Sequence, residues 1–187
     1  MMIRQAVPAD GQISAYLIRL AIQDIAEALT SEQEEEAILD VLHYFFSHPN
    51  NRLSYENTLI IEIEGNVAGL IVTYLGSDAE QLDGPIVDRL REKNNNSEIT
   101  TEKEAEPEDF YIDTVSVNPQ FWGQGIGTAL IEAAQELAIS KGHRRISLNV
   151  EVENTRAHRL YSKLGYKTVN RRQINGHDYE YMVKQLS

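Results

Sequence analysis

The sequence predicts a single mixed α/β domain, and three observations carry that prediction. β-rich runs and amphipathic stretches follow one another along the chain, so neither an all-helical nor an all-β layout fits. Two hairpin signals, Glu64-Gly65-Asn66 and Asn175-Gly176, each sit between β-rich runs. The 187 residues suffice for one compact core, with little left for a second, and no internal repeat divides them.

The elements follow in order. A short strand, Met2 to Ala6, leads into a turn-like helix entry at "VPADGQ". Ile13, Leu17, Leu20, Ile25 and Leu29 then recur at near-helical spacing. Ser31 with Glu34 reads as a capping box opening a second helix through Ile38, Val41, Leu42 and Phe45. His48-Pro49 ends it, because the residue before proline leaves helical geometry. The run "TLIIEIEGNVAGLIVTYLG" reads as the first hairpin. Residues 76–108 hold ten acids, four bases and one amphipathic stretch near Pro85 to Leu90, and read as an acidic surface insertion with one helix and a mobile tail. Phe110 to Val117 is a strand, followed by a glycine segment and a helix to about Lys141, with Gly142 as its cap. "RRISLNVEV" is a further strand, Asn154 opens another helix, and Tyr166 to Leu186 form the closing hairpin.

Composition excludes several classes. There are no cysteines, hence no disulfides, thiolate metal sites or cysteine nucleophiles. No stretch approaches the ~20 apolar residues that span a bilayer, and "MMIRQAVPAD" lacks the layout of a secretory signal. A cytoplasmic protein is expected. His43, His48, His143, His158 and His177 are scattered as surface or core-edge residues, so no metal is expected. The net charge of -12 is unevenly spread: residues 141–187 carry ten Lys and Arg against four Asp and Glu, and the rest carries seven against twenty-five. Such an acidic surface repels nucleic acid and anionic membranes and attracts cations.

The chemistry begins at Phe121-Trp122-Gly123-Gln124-Gly125-Ile126-Gly127. A strand that runs through glycines into a helix leaves several backbone N–H groups without intrahelical partners, and the helix dipole adds positive potential there. A phosphate suits that site; a plain tight turn is the alternative. The spacing is Gly-x-Gly-x-Gly, one residue short of the dinucleotide fingerprint, and no Gly-Lys-Ser/Thr follows, so neither a Rossmann loop nor an NTPase loop fits. The second signal is "VEVENTRAHRLYSKLGYK". Asn154 caps a helix whose Ala157, Leu160, Tyr161 and Leu164 share one face, and Gly165 stops it.

Together, "YIDTVSVNPQFWGQGIGTAL" and "NTRAHRLYSKLGY" resemble the GNAT (Gcn5-related) N-acetyltransferases, whose second motif reads N-x-x-A-x-x-L-Y-x-x-x-G-[FY]. The resemblance covers residues 110–166 and, more loosely, the flanking helices and hairpins. One departure stands out: Trp122 occupies a position that is usually Arg or Gln. The resemblance implies a mainly antiparallel central sheet flanked by helices, the acyl-CoA N-acyltransferase fold, as one domain over residues 1–187 with the 76–108 insertion. It also implies transfer of an acetyl group from acetyl-CoA to a primary amine by direct attack in a ternary complex.

On that reading the backbone of Gly123, Gln124, Gly125, Ile126 and Gly127 holds the pyrophosphate. The backbone near Val115 and Val117 binds the pantetheine amides, and Asn154 hydrogen-bonds the pantetheine arm or a water. Tyr161 serves as general acid for the leaving thiolate and also lines the cofactor site. Asp113 is the first candidate for the base, facing away from Phe110, Ile112 and Thr114 unless a bulge intervenes, and Glu151 is the second. Arg144, Arg145, Arg156 and Arg159 flank the expected cofactor site, and the acidic part of the chain favours a cationic acceptor: a small amine, a polyamine or a peptide N-terminus. The insertion reads as a lid or as a spacer, and the closing hairpin leaves an edge for a homodimer. The competing reading is a catalytically weak acyl-CoA-binding regulatory or assembly module of the same fold.

Overall fold

The computed structural model describes residues 1–187. Its strands are β1 (Met2–Gln5), β2 (Thr58–Ile63), β3 (Asn66–Leu75), β4 (Phe110–Val117), β5 (Arg145–Glu151), β6 (Lys167–Ile174) and β7 (His177–Gln185). They form one seven-stranded sheet in the order β1-β2-β3-β4-β5-β7-β6. Every neighbouring pair is antiparallel except β4 with β5. The helices are α1 (Gly11–Ile22), α2 (Ile25–Thr30), α3 (Glu35–Ser47), α4 (Ala79–Asn94), α5 (Ile126–Ser140) and α6 (Thr155–Lys163). None is long and apolar enough to cross a membrane.

Alternation along β2 and β3 explains the layering. Ile60, Leu70 and Val72 belong to a core shared with α1, α3 and α4, whereas Ile61, Ala68 and Ile71 belong to a core shared with α5. Both faces are covered by helices, which is why these strands read as continuous apolar runs. A third, smaller cluster joins Tyr74, Tyr111, Tyr181 and Val183.

Two features position the site. The parallel pairing of β4 with β5 lasts only from Phe110–Ile146 to Ile112–Leu148, after which the strands part. At the same point β4 bulges: Val72 faces Thr114 and Thr73 faces Ile112, leaving Asp113 as the extra residue. The bulge reverses the alternation, so Ile112 and then Val115 and Val117 pack on the α5 side, and Asp113 is free to turn toward the other.

Three expectations change. The apolar stretch from Ile13 to Leu29 is two helices, because Gln23 adopts a left-handed φ of 47°. Ser31 forms no capping box: it ends α2 in a left-handed conformation, its hydroxyl donates to Asn94 Oδ1, and Glu34 is the residue before α3. Residues 95–108, expected as a mobile tail, are tied to the fold. Ile99 packs on the α1–α4 core, Ala105 is buried, Glu106 N–H donates to the Tyr181 hydroxyl, and Asn149 Nδ2 donates to the Glu104 carbonyl at 2.8 Å.

Candidate active site

Where β4 and β5 part, a cleft of about 180 Å³ opens. Tyr111 to Val115 line it from β4 and Leu148 to Glu151 from β5; Asn154, together with Ala157 and Tyr161 of α6, and residues of the α1–α2 turn add to the lining. Separation of two parallel strands explains the opening: beyond Ile112 the β5-facing edge of β4 has no partner strand.

At the start of α5 the chain builds a row of donors. Gly123 and Gly125 adopt left-handed φ values of 79° and 75°, which favour glycine. Six consecutive backbone N–H groups, Gly123 to Thr128, have no acceptor in the protein; the next, Ala129, donates to the Gly125 carbonyl. Such a row at a helix N-terminus attracts anions, and the 15-residue α5 adds its dipole. Trp122 is 60% exposed beside this row, and its indole N–H donates to the Val117 carbonyl at 2.9 Å. The ring thus fastens the glycine segment to the end of β4.

On α6, Asn154 is the N-cap, its Oδ1 accepting from Ala157 N–H at 3.1 Å. Its amide nitrogen is left for other partners. Replacing Asn154 with alanine is expected to cost about 1 kcal/mol. Thermal melting should show this as a drop of about 2–4 °C, which Asn154→Ser should largely restore. Tyr161 stacks edge-on with Tyr166 at 6.0 Å, and burial alone pushes its phenol up to about 12. Its hydroxyl stays protonated across the neutral range.

The cleft floor holds a charged cluster that sequence reasoning missed. The Arg52 guanidinium, 7% exposed, meets three carboxylates. It donates from Nε and Nη2 to Asp113 Oδ2 at 2.9 and 2.6 Å, from Nη2 to Glu104 Oε1 at 2.9 Å, and from Nη1 to Asp83 Oδ1 at 3.3 Å. Burial opposes the arginine's charge, but Asp113, Glu104 and the other acidic neighbours outweigh it and hold its proton firmly. Asp113 also accepts from Tyr74 at 2.7 Å and from Thr114 at 2.9 Å. Glu104 accepts at its second oxygen from Tyr111 at 3.0 Å. Burial pushes the Glu104 carboxyl up; the nearby Asp113 charge adds to that, and Arg52 only partly offsets it. Burial likewise pushes the phenols of Tyr74 and Tyr111 well above their usual range.

At the rim, the His177 ring bridges Glu151 of β5 at 3.0 Å and Asp24 of the α1–α2 turn at 2.8 Å. The hydrogen bond to Asp24 is the main reason His177 titrates above its ordinary value. Protonation lets both ring nitrogens donate, so the bridge is firm below that value and weakens as pH rises through it.

With this geometry in place, the comparisons are decisive for the family. Residues 19–166 match the model of the Acetyltransferase (GNAT) family. The chain belongs to that family. Among GNAT structures, the crystal structure of an acetyltransferase covers all of this chain and all of its own, with a TM-score of 0.83 at 34% identity. The N-acetyltransferase from Staphylococcus aureus Mu50 reaches a TM-score of 0.85 at 28% identity over 98% of this chain and 100% of its own. Among curated GNAT relatives, an uncharacterized N-acetyltransferase of Methanocaldococcus jannaschii is 46% identical over 56 residues, 30% of this chain. A putative [ribosomal protein bS18]-alanine N-acetyltransferase of Bacillus subtilis is 40% identical over 58 residues, 31% of this chain. These matches span 25% and 38% of the relatives' own lengths. The GNAT resemblance and the mainly antiparallel sheet flanked by helices therefore stand as read from the two motifs.

Within this GNAT fold, Val115, Asn154, Tyr161, Asp113 and Glu151 all border the cleft. Gly123 to Gly127 do not line it; they form the donor row that follows β4 at the start of α5. Val117 does not line the cleft, and its carbonyl already accepts the Trp122 indole. Asp113 does not present a free carboxylate, since both oxygens accept hydrogen bonds from within the protein. Glu151 is held by His177. Arg145 is engaged by Glu108 and Asp109. Arg52, Asp83 and Glu104 carried no motif; the one available signal was the acid-rich stretch 76–108, with nothing to show that it meets Arg52.

Proposed function

We propose that this protein transfers an acetyl group from acetyl-CoA to a cationic primary amine by direct attack. The observation that carries the reading is the row of six free N–H groups at the start of α5, which follows β4, the strand whose Val115 lines a cleft together with Tyr161 and Asn154. The row fits a pyrophosphate: it is all backbone, and Gly123 and Gly125 leave open space where side chains would stand. The free edge of β4 at Val115 and the Asn154 amide suit the pantetheine arm. Acetyl-CoA supplies an activated acyl group, so no covalent enzyme intermediate is needed, and the chain has no cysteine to form one.

The residues of the chain do the rest. Asp24, Glu104, Asp113 and Glu151 line the cleft against one cation, Arg52, which favours an ammonium acceptor. Before attack the ammonium must lose a proton to become a nucleophile. Asp113 is poorly suited to take it, being saturated by Arg52, Tyr74 and Thr114. Glu104, which accepts one hydrogen bond at each oxygen where Asp113 accepts four in all, is the better acceptor, because burial raises its proton affinity above that of an ordinary carboxyl. As the C–N bond forms and the C–S bond breaks, negative charge moves to sulfur, where the Tyr161 hydroxyl donates.

Incubation with acetyl-CoA and a panel of amines should yield one free CoA thiol for each acetylated amine. CoA binding with no transfer to any amine would support the binding-module reading instead. In the same assay, Gly125→Val is expected to weaken CoA binding about tenfold or more, because a left-handed backbone costs a branched residue ~1–2 kcal/mol and its side chain crowds the donor row. Gly127→Ala, whose Cβ would meet Val117 Cγ2 at an ordinary 3.7 Å, should bind CoA as the natural protein does.

A further inference from the structure

A second cavity of about 510 Å³ lies between α4 and residues 100–107, and Arg52 and Glu104 line both it and the cleft. The two spaces therefore meet at this ion pair. Resting on the acetyl-transfer reading, we propose that the second cavity seats the acceptor, a small organic dication with one ammonium at Glu104 and the other held by Asp83.

Three independent observations support the assignment. The volume lies in the range of ligand pockets, and it exceeds that of the cleft. Asp83 is 6% exposed, yet only its Oδ1 has a partner, the long 3.3 Å bond from Arg52; Oδ2 has none, and the residue borders the cavity. This oxygen belongs to a largely buried carboxylate that borders the cavity, and it is free to accept from a cation placed there. Gly84 faces the same cavity from the interior of α4, where glycine is a poor helix former. A Cβ built there would meet nothing within 4 Å, so no packing inside the protein requires glycine at this position. The missing side chain enlarges the cavity.

Charge agrees with the chemistry. Glu80 and Asp88, each one turn from Gly84 on the same α4 face, one on either side, border the cavity without an ion-pair partner. The cations around it are engaged: Arg52 with its three carboxylates, Lys103 with Glu106, and Arg91 through its Nε with the Ile99 carbonyl. A dication arriving here loses one proton to Glu104, and the resulting amine faces the cleft with its second charge still held at Asp83.

The test compares 1,4-diaminobutane with butylamine as acceptors, in the natural protein and in Gly84→Leu. The natural protein should use the diamine with at least tenfold higher kcat/KM. Gly84→Leu should raise the diamine KM at least tenfold, with the KM for acetyl-CoA unchanged. Asp83→Asn should shrink the preference for the diamine. Equal use of the two amines, or a diamine KM unaffected by both variants, would overturn the proposal. If Gly84→Leu melts earlier than the natural protein, Asp83→Asn decides. If no amine is acetylated, the transfer reading fails and calorimetry with 1,4-diaminobutane judges the cavity alone. Binding that Gly84→Leu abolishes supports the seat, and absence of binding to the natural protein contradicts it.

Discussion

Arg52→Met is expected to destabilise the fold by about 3–5 kcal/mol at neutral pH, because it leaves buried carboxylates without their cation. The melting temperature should fall by on the order of 10 °C. Arg52 is the only cation among Asp83, Glu104 and Asp113, all largely buried. Its loss would also strand the Tyr74–Asp113 and Tyr111–Glu104 hydrogen bonds beside uncompensated charge. The pH dependence has a definite sign. Glu104 already binds its proton more tightly when folded than an ordinary carboxyl does. Between its unfolded and folded values the native state therefore holds more protons, and its contribution to stability falls as pH rises. Without Arg52 all three carboxyls should shift the same way, so the variant should recover stability on acidification from neutral pH more steeply than the natural protein. Chemical denaturation at two pH values measures this directly; a loss below about 1 kcal/mol at neutral pH would mean that the cluster is not an energetic hub.

Tyr161→Phe should lower kcat about a hundredfold, the usual scale for losing one hydrogen-bond donor to developing charge. The KM values and thermal stability should hardly change, since the hydroxyl has no partner within the protein. The phenol at about 12 refines its role. A free thiol titrates near ~8.5, so complete proton transfer from Tyr161 to the leaving sulfur would be uphill. On the proposed mechanism the hydroxyl acts as a hydrogen-bond donor while the C–S bond breaks, and the proton shed by the attacking nitrogen completes the balance. It follows that Tyr161 imposes no alkaline limb on kcat between pH 7 and 10. A kcat within about threefold of the natural protein would remove Tyr161 from the mechanism.

The readable and unreadable parts of the site differ in how far apart their partners lie in the chain. The donor row and the α6 cap are local: each is set by residues within a few positions, so Gly123 to Gly127, Asn154 and Tyr161 could be picked out in one pass. The charged floor is not local. Arg52 reaches Asp83, Glu104 and Asp113 across 31, 52 and 61 positions, and only the folding of two loops, α4 and β4 against one another brings them together. Asp113 shows both sides of this. Its place on the strand before the glycines was evident, but its role depends on a bulge and on an arginine from another element. The acidic stretch 95–108 misled for the same reason: its composition is that of a solvated tail, while Glu104 is anchored by Arg52, Tyr111 and Asn149 from elsewhere and Ala105 is buried among Tyr74, Tyr111 and Tyr181. Trp122, odd as a motif residue, has a structural explanation in its bond to Val117.

Direct transfer without an acyl-enzyme is the central claim, and rapid quenching followed by mass spectrometry tests it most directly. Mixed with acetyl-CoA alone, the protein should release no burst of CoA and carry no covalent acetyl group. Addition of the diamine should then produce acetylated amine and free CoA in equal amounts. A burst of CoA with an acetyl adduct on the protein before any amine is added would contradict the account.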